Sequence, residues 1–288
     1  MVQKVGLIAA SGSITRPSFN RSISKLRNLN LEPVYSNSIF YRFLYYAGSA
    51  DERAKQITDL FANSSVEYIF AVRGGHGMIH AMPYLNYDLI GSNYTPIVGF
   101  SDYTILLNYL YSRFGQIHYH GPNVGQSFDE SDPSIDFMKK VVLDKEPASF
   151  NLKPSDIMAK GTSEAPIVGG NLALLVRSMG TPYEFNSDGK ILFIEASGKF
   201  PAWIYESLFQ LLLAGKFDTC KGIIFGTFRK CGSYSQYLDH FIFNHLQKFL
   251  IPIIKNQPFG HEKPNLTIPI GGRCIINTSK LNWTVFQD

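Results

Sequence analysis

Ser101, Glu195 and His261 are the residue types that together can cut an amide through an acyl-enzyme. A hydroxyl attacks, an imidazole takes its proton, and a carboxylate orients the imidazole. Ser101 closes the run Pro96-Ile97-Val98-Gly99-Phe100, and an amphipathic run from Thr104 follows at once. A strand turning sharply into a helix at that point lifts the hydroxyl out of the fold. It also turns backbone N–H groups of the new helix toward a developing oxyanion. The usual elbow carries Gly on both sides of the Ser; here Asp102 stands where the second would be. Ser101 is also a good helix N-cap, and on this segment alone capping is the simpler reading. Glu195 ends the apolar run Ile191-Leu192-Phe193-Ile194. A carboxylate at the mouth of a buried strand must be hydrated or paired, and an ordinary strand-end acid is the plain alternative. His261 lies in the Gly/Pro-framed loop Pro258–Asn265, where a histidine is commonly just polar surface. What joins the three is their chain order, Ser then Glu then His, each at a strand-end loop, which is one of the orders hydrolase triads adopt.

Other chemistry is less well supported. Arg73-Gly74-Gly75-His76-Gly77 could cradle a phosphate, but it lacks the Lys-Ser/Thr of a P-loop and the spacing of a dinucleotide loop. A Gly-rich loop after a strand serves an oxyanion hole equally well, since it brings backbone N–H groups close to substrate. His76 with His80, or His118 with His120, could start a zinc site, yet no Cys or acidic partner lies at ligand spacing. No metal and no organic cofactor is expected. Cys220, Cys231 and Cys274 are too dispersed for a disulfide framework, and none sits at a helix N-terminus beside a cation.

The elements that must position these groups follow from periodicity. Val5–Ala10, Val66–Val72 and Pro96–Phe100 read as strands. They alternate with helices at 18–29, from Ala50 onward and over Thr104–Phe114. Residues 1–150 therefore read as an α/β domain with a largely parallel sheet, and the loops at Ser11, Arg73 and Ser101 fall at the carboxyl edge where ligands sit. Residues 151–165 are polar and contain Pro154 and Gly161, and they are expected to be a linker. Residues 166–288 read as a second, mixed α+β domain. It has helices over 172–179, 203–213 and 237–250 and strands over 191–194, 222–228, 266–270, 273–277 and 282–286. The formal charge of +4 is mild and the basic residues are scattered, so nucleic acid is not an expected partner. No run approaches the ~18 apolar residues of a membrane span. The few, unframed cysteines fit a reducing compartment, and the expected location is the cytoplasm.

Six segments in order resemble the LD-carboxypeptidase family of serine peptidases, which includes muramoyl-tetrapeptide carboxypeptidases and microcin immunity peptidases. They are Arg-Gly-Gly-His-Gly at 73–77, Gly-Phe-Ser-Asp-Tyr-Thr at 99–104, His-Gly-Pro at 120–122, Gly-Gly-Asn-Leu at 169–172, Glu195, and Phe-Gly-His-Glu-Lys-Pro-Asn-Leu-Thr-Ile-Pro-Ile-Gly at 259–271. The resemblance implies an N-terminal domain like class I glutamine amidotransferases and a smaller swivelling-type C-terminal domain. It implies Ser101 as nucleophile, His261 as general base and Glu195 as the orienting acid. The oxyanion donors would be the backbone N–H groups of Asp102 and Gly75, with Arg73, Gly74 and Asn171 binding substrate. The implied reaction releases the terminal D-alanine of a murein tetrapeptide during cell-wall recycling, in a cytoplasmic homodimer. Two alternatives stand beside it. One is an immunity-type peptidase cutting a peptidyl-nucleotide amide, although no aromatic residue lies between Phe150 and Gly169 to stack on a base. The other is a non-catalytic module binding peptidoglycan peptides or phosphate. His76, where the family often has Tyr, and the bulky, acidic Thr162–Pro166 depart from the family pattern.

Overall fold

Short apolar runs without polar alternation dictate the first sheet, because its central strands are covered on both faces. The computed structural model describes residues 2–125 and 132–288. The first strands are β1 (Gln3–Ile8), β2 (Leu31–Val34), β3 (Tyr68–Ala71), β4 (Ile97–Gly99) and β5 (His118–His120). Among them run α1 (Arg16–Asn28), α2 (Ala50–Phe61), α3 (Met78–Ala81), α4 (Tyr87–Ser92) and α5 (Thr104–Phe114). The five strands pair in parallel in the order β5-β4-β3-β1-β2. Local chemistry sets the ends of α2. Ser49 Oγ accepts from the Glu52 N–H, and Glu52 Oε2 accepts from the Ser49 N–H, a capping box that satisfies two otherwise unpaired donors. Ala54, Ile57, Leu60 and Phe61 then face the core.

The chain continues through α6 (Pro133–Met138), β6 (Ala148–Asn151), β7 (Ile157–Ala159), β8 (Thr162–Asn171), α7 (Leu172–Ser178) and β9 (Ile191–Ser197). It ends through α8 (Pro201–Leu213), β10 (Gly222–Arg229), α9 (Tyr234–Phe241), β11 (Ile253–Ile254), β12 (Ile268–Ile270), β13 (Arg273–Asn277) and β14 (Asn282–Phe286). Among the described residues the second sheet has the order β6-β14-β13-β8-β9-β10-β11-β7. Its middle, β8 to β11, is parallel, and its flanks are antiparallel. The mixed character expected for the second half is what the chain adopts.

Two segments lie elsewhere than their sequence suggested. Residues 151–165, expected as a linker, carry β7 and the first part of β8, and both are strands of the second sheet. Pro166, Gly169 and Gly170 make β8 look like a loop, yet pairing to β13 on one side and β9 on the other holds it extended. β12 joins the first sheet, antiparallel to β5, with Ile268 opposite His120. The expected helix 237–250 is α9 followed by a wider turn over Ile242–Leu246 and a tight one over Gln247–Phe249.

Both sheets share one buried cluster. Val98 and Tyr119 of the first sheet belong to it with Ile167, Phe193 and Trp283 of the second. A second cluster, including Leu172, Leu208, Phe225 and Phe241, fills the far side of the second sheet. All three cysteines are buried and free. Among the described residues, no helix is long and apolar enough to cross a membrane.

The two sheets meet where α5 lies against the end of β8. Asn108 Nδ2 donates to the Gly169 carbonyl at 2.8 Å and to the Thr104 carbonyl at 2.7 Å, while its Oδ1 accepts from the Gly169 N–H at 2.9 Å. Thr104 Oγ1 accepts from the Asn171 N–H at 3.1 Å. Gly170 makes this approach possible: a Cβ there would lie 2.6 Å from Thr104 Oγ1, at a φ of +139° that side chains rarely adopt. Replacing Asn108 with Ala takes the side-chain partner from both the buried N–H and the carbonyl of Gly169. The expected loss is about 2–4 kcal/mol of stability, read as a lower urea midpoint with an unchanged slope; a loss below about 0.5 kcal/mol would show that the clamp contributes no more than a surface contact.

Candidate active site

Ser101 stands at the turn between β4 and α5, as its sequence neighbourhood suggested. Its φ is +64°, a left-handed conformation costly for a residue with a Cβ. Phe100, extended before it, donates its N–H to Asn123 Oδ1, and a short 3₁₀ turn over Ser101–Tyr103 leads into α5. The strained turn aims the hydroxyl away from the sheet, into the seam between the two halves.

Glu195 and His261 arrive from the second sheet and the loop preceding β12. His261 Nε2 lies 3.2 Å from Ser101 Oγ, and His261 Nδ1 lies 2.7 Å from Glu195 Oε2. The three groups expected from chain order are thus in line. Glu195 is fully buried on β9, and its second oxygen accepts from Asn171 Nδ2 at 2.8 Å. The His261 loop reaches it through Gly260, where a Cβ would press within 2.9 Å of Glu195 Cβ. Asn265 Oδ1 fixes that loop by accepting from the Gly260 N–H. The ring of His261 rests on Phe100, with centroids 4.9 Å apart.

Burial alone would lower the His261 pKa. The charge of Glu195 and its hydrogen bond outweigh that effect, and the imidazole ends above its ordinary value, with Arg229 opposing the rise. His120, packed edge-on against Phe193 at 5.2 Å, is held neutral by burial, which brings its pKa to about 4. Asp102 is buried, and its carboxylate does not point at the seam. Its Oδ2 accepts from Ser11 Oγ at 2.6 Å and from the Met78 N–H at 2.7 Å. The elbow is thereby tied to the loop 73–77 that precedes α3.

A cavity of about 220 Å³ opens over the hydroxyl. Arg73, Gly74, Gly75, Ser101 and His261 line it, together with Tyr45, Phe100, Asn123 and Arg229. Larger depressions lie away from these groups, one by Tyr205 and His240, another by Tyr94 and Tyr119, so chemistry rather than size marks the site. Among the expected substrate-binding residues, Arg73 and Gly74 face the cavity. Asn171 lies beneath it, its Nδ2 on Glu195 and its Oδ1 capping α7 at the Ala173 N–H. His76 is exposed on the loop before α3 and His80 on α3 itself, while His118 and His120 are buried on β5. No group of three or more His, Cys, Asp or Glu side chains suited to a metal gathers among the described residues. Sequence reasoning missed Arg229, Tyr45 and Asn123. Only the parallel pairing of β10 with β9 places Arg229 opposite Ser197, two residues beyond Glu195.

An α/β chain that aligns hydroxyl, imidazole and buried carboxylate across a seam has the architecture of a serine hydrolase. The chain belongs to the LD-carboxypeptidase family: the family's N-terminal domain matches residues 5–121 and its C-terminal domain residues 164–276. A probable murein peptide carboxypeptidase of Bacillus subtilis is 26% identical, covering 96% of this chain and 89% of its own. The microcin C7 self-immunity protein MccF of Escherichia coli is 27% identical over 98% of this chain and 93% of its own. The fold is also that of a muramoyltetrapeptide carboxypeptidase crystal structure from Oxalobacter formigenes, with a TM-score of 0.89 at 23% identity, covering 99% of both chains.

The raised His261 pKa sets a pH dependence. The imidazole must be neutral to accept a proton, so kcat/KM falls as pH drops through a midpoint above 6.5. Glu195→Gln removes the charge responsible for the rise, so the midpoint moves down. kcat also drops, by up to ~10⁴ if the amide presents the wrong partner to the ring. A pH–rate profile of both proteins reads the two effects; an unmoved midpoint would separate Glu195 from the ionisation of His261.

Proposed function

We propose that this protein is a serine LD-carboxypeptidase that releases the C-terminal D-alanine of a murein tetrapeptide. The observation that carries the reading is the Ser101–His261–Glu195 alignment at the floor of a small cavity. Ser101 Oγ attacks the carbonyl carbon of the terminal amide as His261 Nε2 takes its proton. Glu195 holds the imidazole by Nδ1 and stabilises the imidazolium that forms. The N–H groups of Asp102 and Gly75 are the donors proposed for the oxyanion. Collapse of the tetrahedral intermediate passes the proton from His261 to the leaving D-alanine nitrogen. Water, activated by the same imidazole, then frees the tripeptide from Ser101. Arg73 and Gly74 lie where they can hold the substrate, and Asn171 serves it through Glu195.

The name of the Bacillus relative supports the murein substrate. A peptidyl-nucleotide amide would meet the same triad, but residues 151–168 offer no aromatic ring for a base. The reading takes the chain as two domains meeting at Ser101, active in the cytoplasm as a homodimer. Three buried free thiols suit such a reducing compartment, and sedimentation of the purified protein tests the assembly.

Incubation with a defined murein tetrapeptide is expected to liberate one equivalent of D-alanine. Ser101→Ala is expected to lower kcat on the order of 10⁶-fold while still binding the peptide. Alanine release by that variant within tenfold of wild type would remove Ser101 from the reaction.

A further inference from the structure

An enzyme that removes a single C-terminal residue must recognise the free carboxylate, or it would cut peptides anywhere. That carboxylate lies one residue beyond the scissile carbonyl, and consecutive Cα atoms are about 3.8 Å apart. Its binding groups must therefore line the cavity that holds Ser101. Among the described residues, the side chains there include two guanidinium groups, Arg73 and Arg229, and no carboxylate. Glu195 is fully buried beneath, engaged by His261 and Asn171. Among the described residues, neither arginine makes an ion pair. Arg73 is already anchored, donating through Nη1 to the Ser13 carbonyl. Arg229 ends β10 and is exposed on the opposite side of the seam. Two like charges facing one small cavity, with no counter-charge among the described residues, favour an anion between them.

We propose that Arg229, acting with Arg73, receives the free C-terminal carboxylate of the peptide and so makes the enzyme an exopeptidase. The carboxylate accepts hydrogen bonds from the guanidinium groups on both sides of the seam, which fixes the scissile carbonyl over Ser101. The proposal rests on the carboxypeptidase reading of the site.

The test compares two substrates, a murein tetrapeptide ending in D-alanine and the same peptide ending in D-alaninamide. Wild type is expected to prefer the free acid, by at least ~10-fold in kcat/KM, mostly through KM. Arg229→Gln is expected to erase most of that preference, with Arg229→Lys in between. Lys221→Gln, which removes an equal charge at the far end of β10, should leave the preference intact. Calorimetry on Ser101→Ala, alone and combined with Arg229→Gln, gives the same comparison as binding, without turnover. The proposal is overturned if wild type handles acid and amide equally, or if Arg229→Gln slows both to the same extent. It is also overturned if the variant keeps the full preference. Alanine release from the free acid by wild type reports separately on the carboxypeptidase reading: its absence removes both, whereas its presence with no acid preference removes the arginines alone.

Discussion

A closed circuit of hydrogen bonds governs this site, and the rest of the structure serves to keep it closed. Ser101 leads into α5, whose first residue, Thr104, accepts from the Asn171 N–H. Asn171 holds Glu195, Glu195 holds His261, and His261 returns to Ser101. Half of the circuit belongs to the first sheet and half to the second. A shift of about 1 Å in a reacting group can cost 100-fold in rate. The seam must therefore be stiffer than an ordinary interdomain contact, and Asn108 with the shared apolar cluster provides that stiffness.

Two buried carboxylates flank the elbow, and their different partners give them different work. Glu195 meets an imidazole and an amide, so its charge is felt at the reacting proton. Asp102 meets a hydroxyl and the first N–H of α3, so its charge organises backbone. The pinned loop carries Gly75, and the backbone of Asp102 starts the turn after the nucleophile. One side chain thereby sets the spacing between the two N–H groups proposed for the oxyanion. The buried, neutral His120 adds no charge to this region, which leaves Glu195 the foremost charge acting on His261.

Much of this was legible in the sequence because the signals were local. An apolar run, Gly-Phe-Ser-Asp and an amphipathic run place Ser101 at a strand-to-helix turn with little tertiary help, although that segment alone reads as a helix cap as readily as an elbow. Chain order pointed to Glu195 and His261, and the order of short motifs pointed to the family. What stayed hidden depends on pairing between distant segments. β8 has the composition of a loop and is a strand only because β9 and β13 flank it. Arg229 is one of many surface cations until β10 aligns with β9. Asn108 has the pattern of a helix-interior polar residue, and only the approach of Gly169 shows its purpose.

The placement of β12 reaches beyond the folded molecule to its synthesis. This strand begins at Ile268, far along the chain from β5, which ends at His120, yet it covers the edge of β5 in a sheet whose other strands all precede residue 121. A ribosome emits these parts in order, so the first sheet waits with an open, apolar-flanked edge until the strands β6 to β11 have been made and β12 itself has emerged. The same loop that leads into β12 brings His261. Completion of the sheet and the arrival of His261 beside Ser101 are therefore one late event, and a nascent chain has no aligned Ser101–His261 pair before β12 is in place.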